Sequence, residues 1–148
     1  MENKKLFGLV CYLHRQMSRE NNALFADYGI TPVQMQTLVF VAIHTEKGEK
    51  VCQRDIENYI NLRASSVSTL LNTLENGGFV NRETSDGDAR TKYVSLTEKG
   101  YGVCNKNRTL MDNCDAVIQS ALSEEEQKIF KNLLLKVIEE IETRKGEK

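Results

Sequence analysis

Between Ala64 and Asn76 the chain sets Ser65, Ser66, Ser68, Thr69 and Asn72 among Val67, Leu70, Leu71 and Leu74. The four apolar residues recur at three- and four-residue steps, the period of a helix with one buried stripe. The five polar side chains are short, and each donates and accepts hydrogen bonds. A face of that kind can approach base-pair edges in a major groove, where small side chains carrying both functions are needed. A plain solvated helix face has a similar composition, so the residues that follow decide between the two. Gly77-Gly78 stops the helix, because glycine accepts the left-handed backbone found at many helix ends. Phe79 to Thr84 then reads as a strand, Ser85-Asp86-Gly87-Asp88-Ala89 as a turn and Arg90 to Leu96 as a second strand. A hairpin placed directly after a groove-reading helix lies beside the neighbouring phosphates, and its tip can put an arginine into the narrow, electronegative minor groove. Arg90 is the residue for that task, and Asp88 can fix its direction through a bidentate pair. The bland alternative is a surface hairpin whose local ion pair is worth little.

The elements that must position these residues can be read on either side. Val51, Ile56, Tyr59 and Ile60 predict a short helix with one apolar side and with Gln53, Arg54, Asp55 and Glu57 outside. Short helix, tight turn, second helix and polar hairpin are the parts of a winged helix-turn-helix. Upstream, residues 6–28 read as one helix with a stripe of Leu6, Leu9, Val10, Leu13 and Met17 continued by Leu24 and Phe25. Thr31-Pro32-Val33-Gln34 reads as a capping box with proline at the first helical position. It opens a helix apolar on most sides that ends near His44. Downstream, Thr97 caps a long helix to about Ser120, weakened in its first turns by Gly100 and Gly102. Ser123-Glu124-Glu125-Glu126 is a second capping box. The helix after it carries Ile129, Phe130, Leu133, Leu134, Val137, Ile138 and Ile141. That is more apolar surface than a small winged domain covers, and an isologous contact with a second copy uses it most simply. The fold class expected is mainly α with a small β-hairpin wing, in a single domain over 1–148. Residues 31–100 form the winged helix-turn-helix, and 1–30 and 101–148 form the helical dimerisation part.

A chain of 148 residues suits one compact domain. No apolar run is long enough to span a bilayer and the segment MENKKLFGLV lacks a signal-peptide layout, so no membrane partner and a cytoplasmic location are expected. The cysteines at 11, 52, 104 and 114 have no paired short spacing and the two histidines are isolated, which argues against a metal site or a disulfide framework. No nucleophile elbow or phosphate-binding glycine loop is present, so no catalytic residues, no cofactor and no enzymatic activity are expected. Net charge is −1, which a nucleic-acid reader must overcome by placement. Residues 51–100 hold six cations, Arg54, Arg63, Arg82, Arg90, Lys92 and Lys99, against seven anions. With Arg54, Arg63, Arg82, Arg90 and Lys92 along one side and Glu75 and Glu98 facing away, double-stranded DNA is the partner. A winged helix that docks proteins without binding DNA is the alternative that near-neutral charge favours.

Leu74-Glu75-Asn76-Gly77-Gly78-Phe79-Val80-Asn81-Arg82, the Asp88-Ala89-Arg90 wing and Val94-Ser95-Leu96-Thr97-Glu98-Lys99-Gly100 resemble the multiple-antibiotic-resistance regulator (MarR) family. The resemblance covers nearly the whole chain. It implies a homodimeric transcription regulator, usually a repressor, whose DNA affinity is changed by a small ligand or an oxidant. Paired reading helices are then expected about 34 Å apart on a pseudo-palindromic operator. Family pockets lie among the first, second and long fifth helices, which here offers Cys11, His14, Arg15 and Met35. A histidine and an arginine beside apolar side chains would suit an aromatic acid or a phenol. Cys11, with Ser18-Arg19-Glu20 following, also has a spacing similar to the branch that senses organic hydroperoxides. Arg15 and Phe25 stand where that branch has tyrosines, and the tyrosine before its proline is missing, which favours an ordinary apolar cysteine.

Overall fold

A computed structural model describes residues 5–85 and 88–146, without the side chains of residues 20, 85, 88–91 and 145. The order of elements is α1 (Leu6–Met17), α2 (Arg19–Tyr28), α3 (Pro32–Glu46), β1 (Val51–Cys52), α4 (Gln53–Ile60), α5 (Ala64–Asn76), β2 (Val80–Ser85), β3 (Asp88–Leu96), α6 (Glu98–Ala121) and α7 (Glu124–Gly146). The architecture is mainly helical with a small antiparallel sheet, as the sequence pattern predicts.

Local chemistry sets most boundaries. Thr31 caps α3 by accepting from the Gln34 N–H, while Gln34 Oε1 accepts from the Thr31 N–H at 2.8 Å, with Pro32 at the first helical position. Ser123 and Glu126 make the same reciprocal pair at the start of α7. Thr97 caps α6 through the Gly100 N–H at 3.1 Å. At the end of α5, Gly78 has φ +72°, the left-handed turn that glycine permits at low cost.

Three local expectations are corrected. The single helix over 6–28 is two helices, because Ser18 has ψ −2°, far from the helical value near −42°. Val51 is not on the apolar side of α4. It lies in β1, opposite Val94 of β3, so the sheet has three strands in the order β1-β3-β2 rather than a bare hairpin. Tyr59 is 52% exposed and stacks on Phe40 at 4.3 Å instead of entering the core.

The chain forms two compact units, Met1–Leu110 and Met111–Lys148. The core of the first joins Leu38 and Val41 of α3, Ile56 of α4, Val67, Leu71 and Leu74 of α5, Val80 and Val94 of the sheet and Val103 of α6, all almost fully buried. At about 1.5–3 kcal/mol for each large side chain removed from water, this cluster is the main force holding α5 in place. The second unit carries Ile129, Leu133, Leu134, Val137, Ile138 and Ile141 along α7, each exposed.

Candidate nucleic-acid interface

The expected stripe of α5 is the buried one. Val67, Leu70, Leu71 and Leu74 face the core, while Ser65, Ser66, Thr69 and Asn72 are exposed and Ser68 is half-buried. The helix period permits no other outcome once four residues at that spacing have been buried. Thr69 Oγ1 donates back to the Ser65 carbonyl at 3.1 Å, which fixes its rotamer and leaves its lone pairs for outside donors.

Between α4 and α5 the chain turns on Asn61, a left-handed residue with φ +52°. Asparagine tolerates that region better than most residues. The turn is tied by Gln53, whose Nε2 donates to Glu57 Oε1 at 2.8 Å and to the Ala64 carbonyl at 3.3 Å. Gln53 thus links the first turn of α4 to the first residue of α5, a role that its sequence position did not reveal. The start of α4 is capped by Cys52 and Asp55. Asp55 Oδ2 accepts from the Cys52 N–H at 2.8 Å, and this bond holds the Asp55 carboxyl below its ordinary pKa.

Arg54 and Arg63 are exposed on α4 and just before α5, and Lys92 is exposed on β3. Arg54, Lys92, Gln53, Glu57, Ser68 and Arg82 line a cleft of about 390 Å³. Arg82 departs from the expected row of free cations. Its side chain is only 15% exposed, Nε donates to Glu75 Oε2 at 2.9 Å, and Nη2 donates to the same carboxylate and to Asn72 Oδ1. The hydrogen bond from Arg82 holds the Glu75 carboxyl below its ordinary value. Register explains the difference. Arg82 lies opposite Val94 and two residues after the buried Val80, so the strand alternation turns it toward α5. Glu75 therefore faces this guanidinium, with its side chain still 38% exposed. The alternation Val80-x-Arg82 is a signal that was present in the sequence.

Asp88 and Arg90 are placed in β3 by their backbone, and their side chains lie outside the described residues. Asp86 and Gly87 of the expected turn also lie outside them.

The proposed sensing residues are not brought together in one described pocket. Cys11, His14 and Arg15 are exposed on α1, and Cys11 and Arg15 border a shallow cleft with Lys5, Gly8 and Tyr12. The His14 ring lies 3.4 Å from the Ser18 hydroxyl. Met35 is 3% exposed in the core and is not among the residues that line that cleft, because the first turn of α3 packs into the core. Of the other cysteines, burial pushes the Cys104 thiol up to about 11, so it is held as the protonated thiol. Among the described residues no group of histidine, cysteine and carboxylate side chains could hold a metal ion, and no described helix is long and apolar enough to cross a membrane.

A short helix, a tight turn, a second helix with a polar outer face and an antiparallel wing define a winged helix-turn-helix protein. Residues 28–91 match the MarR family model. Along 135 residues the chain is 27% identical to the HTH-type transcriptional regulator MhqR of Bacillus subtilis, covering 90% of this chain and 89% of that one. It is 31% identical over 87 residues to the regulator YwhA of the same organism, covering 57% of this chain and 60% of YwhA. The fold is similar to that of MepR from Staphylococcus aureus in its DNA complex, with a TM-score of 0.69 and 26% identity over 92% of this chain and 97% of that one. The winged helix-turn-helix part of the chain, residues 28–91, is thus similar to the MarR family.

Proposed function

We propose that the chain is a sequence-specific transcription regulator, a repressor, that binds double-stranded DNA in the cytoplasm as a homodimer on a pseudo-palindromic operator. The observation that carries the reading is α5: a helix locked by four buried apolar residues that presents Ser65, Ser66, Thr69 and Asn72 outward. Such a face suits base edges. Arg54, Arg63 and Lys92 are exposed around it and suit phosphates. The MepR match includes a DNA complex, which supports the same use of this fold. Dimerisation is supported by the exposed apolar residues of α7 and by Leu6, Phe7 and Val10 of α1, of which Leu6 is 83% exposed. Surface of that kind calls for a partner. A small effector or an oxidant that alters the separation of two reading helices regulates the affinity. Cys11 and Arg15 at the shallow α1 cleft are the residues proposed to meet it, with His14 on the same helix.

The test is duplex binding as a function of salt. A duplex selected from a random library should bind tightly at low ionic strength and lose affinity steeply as salt rises, with a log–log slope set by the phosphates contacted. Sedimentation should give twice the chain mass. A dimer that binds no duplex at any ionic strength would leave the protein-docking reading in its place.

A further inference from the structure

Asn72 stands exposed on the outward face of α5, and its carbonyl oxygen is already engaged. Arg82 Nη2 lies 2.5 Å from Asn72 Oδ1, with the same guanidinium anchored on Glu75. A guanidinium has only donors, so the amide must turn its oxygen toward Arg82 and its NH₂ away. Arg82 is fixed there by strand register, and its side chain is 85% covered. The amide orientation of a residue on the reading helix is therefore set by a residue of the wing.

Resting on the DNA-reading function proposed above, we infer that Arg82 is a positioning residue that orients Asn72 so that it contacts DNA through its NH₂ group. Asparagine normally reads adenine with both ends of its amide, accepting from N6 and donating to N7. Arg82 takes one of the two lone pairs of Oδ1 and sits on the oxygen's side of the amide, so the NH₂ is the end offered to the duplex. The NH₂ group remains for an acceptor on the duplex: guanine O6 or N7, thymine O4, or a phosphate oxygen. Arg82 acts through Asn72 and makes no DNA contact of its own.

The test is a double-mutant cycle on duplex affinity, read by fluorescence anisotropy with a duplex selected by the wild-type protein. Asn72→Ala should weaken binding about tenfold, the loss of one hydrogen bond to a charged or strongly polar acceptor. Arg82→Lys keeps a cation for Glu75 but cannot hold both partners, and should weaken binding by about threefold to tenfold. The double variant should bind no more weakly than Asn72→Ala, within about twofold. Single-position variants of the duplex separate the two kinds of acceptor. A loss confined to one base pair identifies a base edge, and an equal loss on every sequence identifies the backbone. Both patterns support the inference. Multiplying effects of the two substitutions would overturn it, since Arg82 would then contact DNA directly. So would a wild-type complex whose affinity falls, in an Asn72-dependent way, when one adenine N6 amino group is removed. Should Arg82→Lys fold poorly, the Asn72 side-chain amide signals of Glu75→Gln provide a second reading, and they must shift as Arg82 loosens. A wild-type protein that binds no duplex would instead remove the proposed function itself.

Discussion

Gly100 and Gly102 lie two residues apart in the first turns of α6, and helix propensity alone treats them alike: alanine at either should gain about 0.8–1 kcal/mol. The structure separates them. A Cβ at Gly100 would sit 2.2 Å from the carbonyl oxygen of Phe79, whereas one at Gly102 would meet nothing within 4 Å. Carbon and carbonyl oxygen normally stay about 3.3 Å apart, so the overlap is about 1 Å. The oxygen cannot easily withdraw. It accepts from the Thr97 N–H at 3.0 Å, and the Phe79 residue is 3% exposed. Overpacking of this size costs about 3 kcal/mol, against which the propensity gain is small. The net loss for Gly100→Ala is then about 2 kcal/mol, or about 4–8 °C in melting temperature for a chain of this size. Gly102→Ala should raise the melting temperature by about 2–4 °C. Far-UV circular dichroism melts check both, at one fixed protein concentration because an associating chain melts higher when concentrated. A Gly100→Ala protein melting at or above wild type would refute the reasoning, as would two alanine variants that fall together.

Leu71→Ala removes a fully buried side chain from the middle of α5 and should cost about 2–5 kcal/mol in urea unfolding. Thr69→Ala, on the exposed face of the same helix, should leave stability within about 0.5 kcal/mol while altering which duplexes are selected. Arg90→Ala should weaken binding to all sequences alike and lower the salt slope by about one, and normal binding by that variant would remove the wing from the mechanism. Stability should also depend on pH. Asp55, Glu75 and Glu126 are held below their ordinary values by bonds from the Cys52 N–H, the Arg82 guanidinium and the Ser123 N–H respectively. A lowered folded pKa means that the contribution is present above the unfolded values of 3.8 and 4.5 and disappears as pH falls through the folded ones. Denaturation midpoints should hold steady from pH 7 to about pH 5 and drop below about pH 4, and a midpoint that rises over that lower range would contradict the assignment.

Most of the order of elements and the buried face of α5 were legible in the residues because both follow from near neighbours. Steps of three and four place Val67, Leu70, Leu71 and Leu74 on one side whatever else surrounds the helix. Thr31, Gly78, Thr97 and Ser123 mark helix ends through bonds or dihedrals that span a few residues. These local features were enough to suggest a winged helix-turn-helix and to name the outward residues of its second helix. Strand β1 was not legible, because two residues carry no period and Val51 becomes a strand only by meeting Val94. The family resemblance implied a shared pocket for Cys11 and Met35, yet one is exposed and the other lies in the core.

Charge was the least readable property of the sequence. Arg82 looked like one more cation for phosphate, and strand register turned it inward onto Glu75 and Asn72. Gly100 looked like a weakness in a helix, and the approach of the Phe79 carbonyl makes it a requirement. The chain by itself determined which residues face outward on α5, since helical geometry is local. Tertiary structure alone decided which charges remain free and where no side chain fits, since both depend on atoms far along the chain arriving within hydrogen-bond or van der Waals distance.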